Sequence, residues 1–151
     1  MTISVAFAGV ANAIGDLTVS GVNIKGVDKM ITSADGYLPL FCPFPDNFIT
    51  DISFTFEAYG TGGTAPMNLE YTMNWVYYHS PLGASGNSLA IFQKMLENIA
   101  AILKVIFTND SVTGAVDVRL LSIGKLGPVF DASGGQYHGA LISLRVLEFV
   151  Q

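Results

Sequence analysis

Residues 67–77 read MNLEYTMNWVY, and this stretch decides the fold because apolar and polar side chains alternate along it. A period of two residues is that of a β-strand with one buried face and one polar face. The face predicted to be buried carries Met67, Leu69, Tyr71, Met73, Trp75 and Tyr77. The opposite face carries Asn68, Glu70, Thr72 and Asn74. The stretch therefore predicts a long strand whose aromatic side chains point into a core.

The segment before this strand alternates in the same way, since residues 51–58 read DISFTFEA. The side predicted to be buried consists of Ile52, Phe54, Phe56 and Ala58. The polar side consists of Asp51, Ser53, Thr55 and Glu57. The connection 60–66 is rich in turn residues, so the two strands are expected to pair antiparallel. Further upstream, residues 16–36 are predicted to form a long connection with one weak strand.

Residues 37–44 are apolar but contain Pro39 and Pro43. Because proline cannot donate a hydrogen bond to a neighbouring strand, we expect this segment at a sheet edge or outside the sheet. The end of the chain predicts two further strands, residues 115–123 and 137–150. A 13-residue loop, 124–136, is expected to join them.

Residues 89–107 carry the clearest helical pattern, and Ser88 can cap the helix that they predict. The apolar stripe consists of Leu89, Phe92, Met95, Leu96, Ile99, Ile102, Leu103 and Ile106. A shorter stripe over Ile3, Phe7, Val10 and Ile14 predicts an N-terminal helix that ends near Gly15. The expected fold class is α+β, a mainly antiparallel sheet covered by a long helix (about 89–107) and a short N-terminal helix (about 3–14). We expect residues 1–151 to form a single domain.

The composition favours a protein that hides apolar surface in subunit contacts. Of the 151 residues, 13% are charged and 50% are hydrophobic, whereas roughly a quarter are charged in typical soluble domains. So few charges would leave a monomer with too little polar surface.

The net charge of −5 repels phosphate backbones, which argues against tight nucleic-acid binding.

We expect synthesis in a reducing cytoplasm and no membrane segment. The lone Cys42 lies between Phe41 and Pro43, which predicts a small buried hydrophobe in place of a disulfide. The apolar run 99–107 contains Lys104 and is shorter than the roughly 20 residues that a membrane-spanning helix requires. No Lys or Arg precedes the apolar stretch 5–13, so a signal peptide is not expected.

No group of residues predicts a catalytic, cofactor or metal site. His79 and His138 fall near opposite ends of different strands, and neither has metal-ligand spacing. Cys42, His138 and Asp131 could form a nucleophilic set, but a core cysteine is the favoured interpretation. The glycine-rich residues 59–64 lack the Lys-Ser/Thr ending of a phosphate-binding loop, so they favour a hairpin tip.

An aromatic stacking platform for sugars or single-stranded nucleic acid remains open as an alternative. It would consist of Tyr71, Trp75, Tyr77 and Tyr78. Core packing under the long helix explains the first three equally well, because they share the apolar face of their strand. Tyr78 points to the other face and stays unexplained by either interpretation.

The order of the predicted elements and the closing strand carry a resemblance to a known family. An N-terminal helix, a glycine-containing connection and a proline-bearing segment precede a strand pair that ends in WVYY (75–78). The long helix and a strand-loop-strand finish follow, closing with GQYHGALISLRVLE (135–148), where an aromatic-x-Gly precedes an alternating run. This arrangement resembles the tail terminator and tail-completion (neck) proteins of long-tailed bacteriophages.

The resemblance implies a structural virion protein and no enzyme, with no cofactor. It implies a homohexameric ring that caps the tail tube, stops its polymerisation and joins the tail to the head connector. The implied partners are further copies of the chain, the tail tube protein and the head-tail connector protein, with DNA only in passage and no membrane. The implied location is the tail or neck of the virion, after synthesis in the host cytoplasm. Another ring-forming tail or neck protein, a carbohydrate- or receptor-binding module and a small enzyme stay open as alternatives.

For a ring-forming protein, the loops 25–33 and 125–136 and the polar side of the strand 51–57 are the expected subunit contacts. The candidate interface residues are Lys25, Gly26, Asp28, Lys29, Asp51, Thr55, Glu57, Lys125, Asp131, Gln136 and Arg145.

Overall fold

The computed structural model describes residues 7–26, 33–45, 47–56, 67–83, 88–109 and 117–150. The described helices are α1 (Phe7–Gly15) and α2 (Ser88–Phe107). The described strands are β1 (Asn23–Ile24), β2 (Leu40–Pro43), β3 (Ile49–Phe56), β4 (Met67–Pro81), β5 (Asp117–Ile123), β6 (Gly127–Phe130) and β7 (Gln136–Val150). Over these residues the chain is a mixed α and β fold with one seven-stranded sheet and two helices.

Strands β4 and β7, each 15 residues long, form the antiparallel centre of the sheet. The strand order is β1-β2-β4-β7-β5, while β3 also pairs with β4 and β6 also pairs with β7. Every pair is antiparallel except β1 with β2. The antiparallel pairing of β3 with β4 confirms the strand pair predicted from alternation. The predicted turn at 60–66 lies outside the described residues.

The apolar face of β4 lies in a core that it shares with both helices. Leu69, Tyr71, Met73, Trp75 and Tyr77 are all buried, as the alternation predicts. The helices contribute Val10, Ala11, Ile14, Met95, Ile99, Ile102 and Ile106 to the same cluster. The neighbouring strand β7 contributes Ala140, Ile142, Leu144 and Val146. Burying each large side chain contributes about 1.5–3 kcal/mol, so this cluster is the main source of stability.

The buried face of α2 is narrower than its sequence pattern predicts. Leu89 and Leu96 belong to the predicted stripe but are 77% and 54% exposed. The fully buried positions 95, 99, 102 and 106 are three or four residues apart and therefore share one helix face. Leu96 is rotated by about 100° from Met95, which takes it off that face. No helix within the described ranges is both long and apolar enough to cross a membrane.

A second, smaller apolar cluster lies on the opposite face of β4. It consists of Ala34, Leu40, Cys42, Val76, Tyr78 and Tyr137. Tyr78 is 1% exposed, and its hydroxyl donates to the Phe130 carbonyl at 2.9 Å. Packing in this second cluster explains why an aromatic residue occupies the face of β4 that alternation predicts to be polar. Cys42 is buried, as its apolar flanks predict.

Strand β2 lies inside the sheet, which corrects the prediction that residues 37–44 lie at its edge or outside it. It pairs with β4 on one side and with the short β1 on the other, and all four of its residues are buried. The prolines are tolerated because Pro39 precedes the strand and Pro43 ends it. Pro39 still contributes its carbonyl, which accepts a hydrogen bond from the Asn23 amide at 2.8 Å.

Strand β6 occupies part of the segment predicted to be a 13-residue loop. It pairs antiparallel with the start of β7, with Gly127 opposite Gly139 and Phe130 opposite Gln136. Only residues 131–135 remain as a tight turn between the two strands. Gly127 and Pro128 are poor strand formers, so pairing with β7 decides the conformation here and local propensity does not.

Candidate functional site

The outer strand β3 exposes the apolar side chains that its alternation predicts to be buried. Ile52, Phe54 and Phe56 are 58%, 53% and 63% exposed. The register places Phe54 opposite Leu69 and Phe56 opposite Met67, so both lie on the core face of the sheet. The alternation thus predicts the faces of β3 correctly but not their burial, because burial depends on what packs over the strand. Ala58 lies outside the described residues.

An apolar groove of about 400 Å³ runs beside these side chains. Its lining consists of Phe7, Ile49, Ile52, Phe54, Leu69 and Tyr71. The polar side-chain group in this lining, the Tyr71 hydroxyl, donates to Glu148 Oε2 at 2.5 Å. Burial and this hydrogen bond raise the pKa of Tyr71, so the phenol stays neutral. A lining of this kind fits another apolar surface better than a polar substrate.

Strand β5, which ends the strand order beside β7, exposes a second set of apolar side chains. Leu120, Leu121 and Ile123 are 42%, 54% and 40% exposed. Leu120 lies opposite Leu144 and Ile123 opposite Ile142, so both belong to the core face. Two separate strands therefore present apolar residues on the same side of the sheet.

Arg145, a predicted interface residue, is engaged within its own chain. Its Nε donates to Glu70 Oε1 at 2.9 Å, and its Nη1 donates to Thr72 Oγ1 at 2.8 Å. The same Nη1 donates to the Asp51 carbonyl at 2.9 Å. One guanidinium thus ties β3, β4 and β7 together on the face away from the helices. Its role as a subunit contact stays a prediction. Asp51, also a predicted contact, is exposed and has a φ of 54°.

Asp131, another predicted interface residue, is buried and organises the turn after β6. Its Oδ1 accepts hydrogen bonds from the Ser133 amide and hydroxyl and from the Gly135 amide. Its Oδ2 accepts one from the Ala34 amide at 2.8 Å. Burial alone would raise the pKa of Asp131, but these hydrogen bonds lower it to about 2. The carboxylate thus links two distant segments of its own chain, and its role as a subunit contact stays a prediction.

The other predicted interface residues fall into three groups. Thr55, Lys125 and Gln136 are exposed, so they stay candidate contacts. Lys25 is half-buried, and its Nζ lies 5.3 Å from the centre of the Tyr37 ring. Gly26 is buried against Gly15. The contact role of both residues stays a prediction. Asp28, Lys29 and Glu57 lie outside the described residues.

The suggested Cys42, His138 and Asp131 set is not assembled. Cys42 and Asp131 line one cavity of about 10 Å³, too small for a substrate. His138 instead contacts the Phe92 ring of α2 and so lies with the helices on the other side of the sheet. Burial, with Asp131 nearby, raises the pKa of the Cys42 thiol to about 12, whereas nucleophilic attack needs a thiolate.

The two histidines are closer than the sequence predicts. His138 lies opposite Ser80, next to His79, because β4 and β7 run antiparallel and the end of one meets the start of the other. Burial, then His138 and Lys94, lower the pKa of His79. The Tyr77 hydroxyl lies 2.7 Å from His79 Nδ1 and accepts a hydrogen bond from Asn98 Nδ2. No group of three metal-ligating side chains occurs among the described residues.

The aromatic residues considered as a stacking platform cannot reach a ligand, since Tyr71, Trp75, Tyr77 and Tyr78 are all at most 2% exposed. The glycine-rich residues 59–64 lie outside the described ranges. The apolar side chains of β3 and β5 are thus the main candidate interaction surface. No protein-family model matches the chain, and no curated protein matches its sequence.

Proposed function

We propose that this chain is a structural virion protein of a long-tailed bacteriophage, a tail terminator that forms a homohexameric ring. In this proposal the ring caps the tail tube, stops its polymerisation and joins the tail to the head-tail connector. The long helix would cover one face of the sheet in each subunit. The proposal extends the resemblance in element order, and the apolar surface on two different strands supports its assembly part.

The observation that carries the assembly proposal is the exposure of large apolar side chains on both β3 and β5. Contiguous exposed apolar surface is costly for a monomer and typically marks a protein contact. A contact between two different patches is heterologous, and heterologous contacts close into rings when the rotation between subunits allows it. A ring of this kind needs no catalytic group, cofactor or metal.

The charge of the chain fits passage of DNA through the proposed ring. A net charge of −5 gives each subunit no general attraction for phosphate. Strong attraction would retain DNA in the channel, because each neutralised phosphate releases counterions and stabilises the complex.

Native mass spectrometry of the purified chain, alone and with tail-tube subunits from the same source, tests the proposal. We expect hexamers, either free or only on tube ends, and tubes that stop growing once the chain is added. Rings that stack into long tubes on their own would instead identify a tube component. A monomer that leaves tube growth unchanged would overturn the proposal.

A further inference from the structure

Strands β3 and β5 have edges that no described strand occupies. Among the described residues, β3 pairs only with β4 and β5 pairs only with β7. An edge strand presents a row of backbone donors and acceptors that can pair with a strand of another chain. Apolar side chains on such an edge make that pairing more favourable, and both edges carry them.

The directions of the two strands allow a sheet to continue from one copy into the next. β3 is antiparallel to β4, β4 to β7, and β7 to β5. Three reversals mean that β3 and β5 run in opposite directions within one subunit. When a second copy is placed beside the first in the same orientation, its β5 therefore runs antiparallel to the first copy's β3.

The two faces of the strands also match. Phe54 and Leu120 lie on the core face, opposite Leu69 and Leu144 respectively. Thr55, opposite Asn68, lies on the other face. Arg119 lies opposite Arg145 and is on that other face too. Pairing β3 with β5 would thus place apolar side chains beside apolar ones and polar side chains beside polar ones.

Irregularities in both strands limit where they can pair. The register of β3 against β4 shifts between Thr50 and Ser53, and that of β5 against β7 shifts between Leu120 and Ser122. Such bulges bend and twist an edge and so prevent unrestricted pairing. The regular segments that remain are Ser53–Phe56 in β3 and Asp117–Leu120 in β5.

We propose that β3 of one copy pairs antiparallel with β5 of the next, through residues 53–56 and 117–120, as the repeating contact of an assembly. The occupant of each apolar edge is thus a second copy of this chain. The inference rests on the proposed ring and specifies its contact. The contact is heterologous, so every subunit contributes one β3 edge and one β5 edge. In a closed ring, every such edge is therefore paired with a neighbouring subunit.

Disulfide trapping between separately purified variants tests this contact. One variant carries a cysteine in β3, Ser53→Cys or Thr55→Cys, and the other carries one in β5, Asp117→Cys or Arg119→Cys. After mixing and mild oxidation by copper phenanthroline, we expect a covalent dimer from at least one of the four pairs and none from any variant alone. The native Cys42 is buried and stays in every variant.

A matched control replaces Arg119→Cys with Leu120→Cys, whose side chain lies on the opposite face from Thr55. This pair should give no dimer, because cross-strand disulfides need both side chains on the same face. A disulfide that forms between two copies of the same variant would overturn the proposal, since it would reveal an isologous contact.

A second test uses Phe54→Lys, with Leu96→Lys as its control. The two side chains are 53% and 54% exposed, but Leu96 lies on α2. Both variants should keep the far-UV circular dichroism of the folded wild-type chain, whereas only Phe54→Lys should lose the hexamer in light scattering after size exclusion. If hexamers of both variants persist, the strand contact is wrong while the ring stands. If the wild-type chain is itself monomeric, alone and with tubes, the proposed function fails together with this contact.

Discussion

Asp131 shows how one carboxylate can hold together segments that are distant in the sequence. Replacing Asp131 with Asn keeps one acceptor oxygen but places an amide donor where the Ala34, Ser133 or Gly135 amides now donate. We expect Asp131→Asn to lower the free energy of unfolding by about 1–3 kcal/mol, the usual cost of leaving buried donors without an acceptor. Urea unfolding followed by tryptophan fluorescence measures this, and the exposed Asp16→Asn is the control.

The same residue predicts a pH dependence of stability. The pKa of Asp131 in the folded chain is about 2, below its ordinary value of 3.8. A depressed pKa means that the ionised group contributes stability above about pH 4 and loses it as the pH falls toward 2. Unfolding of the wild-type chain should become steeply pH-dependent in this window. If the unfolding free energy of Asp131→Asn falls with the same slope in this pH window, the pH dependence comes from other carboxyl groups.

Tyr71 and Glu148 form a buried pair on the core face beside the apolar groove. Tyr71→Phe removes a hydrogen bond to the Glu148 carboxyl group, which is 2% exposed. We expect a loss of about 1–3 kcal/mol in unfolding free energy, the usual cost of removing one partner of a buried hydrogen bond. Tyr37→Phe, at a ring that is 41% exposed, should change stability far less. If Tyr71→Phe destabilises the chain no more than Tyr37→Phe does, the buried hydrogen bond adds no measurable stability.

Tyr71 contributes to stability with a pH dependence opposite to that of Asp131, because its pKa is raised and that of Asp131 is lowered. Burial raises the folded pKa of Tyr71 above the ordinary value of 10, and the hydrogen bond to Glu148 adds to this. The neutral phenol therefore contributes stability that is complete below pH 10 and is lost as the pH rises further. Wild-type chain should lose stability more steeply than Tyr71→Phe in alkaline buffer, measured by the same urea titration.

Burial of single residues could be predicted where the sequence pattern is local. Cys42 between apolar neighbours and Tyr71 on an alternating face are both buried as expected. Asp131 could not be placed, because its partner Ala34 is 97 positions away and no local pattern signals that hydrogen bond. Polar residues in glycine-rich loops are predicted to be exposed unless their long-range partners are known.

At the scale of elements, Gly139 decides how closely β4 and β7 approach. A Cβ at this position would lie 2.0 Å from the Tyr77 carbonyl oxygen and 2.6 Å from Val129 Cγ2. Because the first of these is backbone, Gly139→Ala must displace a strand, and we expect a destabilisation of about 1–3 kcal/mol, as in overpacked cores. Gly127, its partner on β6, has open space within 4 Å of the position that a Cβ would take, and it provides the control.

The measurement for this pair is thermal unfolding of Gly139→Ala and Gly127→Ala by circular dichroism. We expect the melting temperature to fall by several degrees only for Gly139→Ala, since about 1 kcal/mol shifts it by roughly 2–8 °C in domains of this size range. A stable Gly139→Ala would show that the two central strands can separate slightly at no cost.

Elements with a strong repeat were predictable, whereas those formed by long-range pairing were not. The alternation of 67–77 predicts β4 and its buried face, and that of 51–56 predicts β3 and its pairing partner. The sequence does not predict β6, because Gly127 and Pro128 have low strand propensity. The strand forms because it pairs antiparallel with β7. The exposure of Phe54 could not be predicted either. Alternation shows which side chains share a face of the strand but not whether another element packs over that face.

At the scale of the whole molecule, the candidate surface arises from the position of β3 and β5 on two sides of the central pair β4–β7. Neither strand alone has a sequence signal for assembly. The low charged fraction of 13% and the high hydrophobic fraction of 50% were the sequence features that pointed to hidden apolar surface. Composition therefore predicts hidden apolar surface without placing it, whereas the strand order shows which strands expose apolar side chains.

The acidic character of the chain makes a final prediction about DNA. A protein with a net charge of −5 releases few counterions from a duplex, so the electrostatic term that dominates non-specific binding is missing. We expect fluorescence anisotropy of a labelled duplex to show no binding by the proposed ring even at about 50 mM salt, where basic proteins bind most tightly. Binding with a dissociation constant of about 10⁻⁶ M that weakens steeply with salt would instead reveal a concentrated basic channel, and the ring would then hold DNA, not merely let it pass.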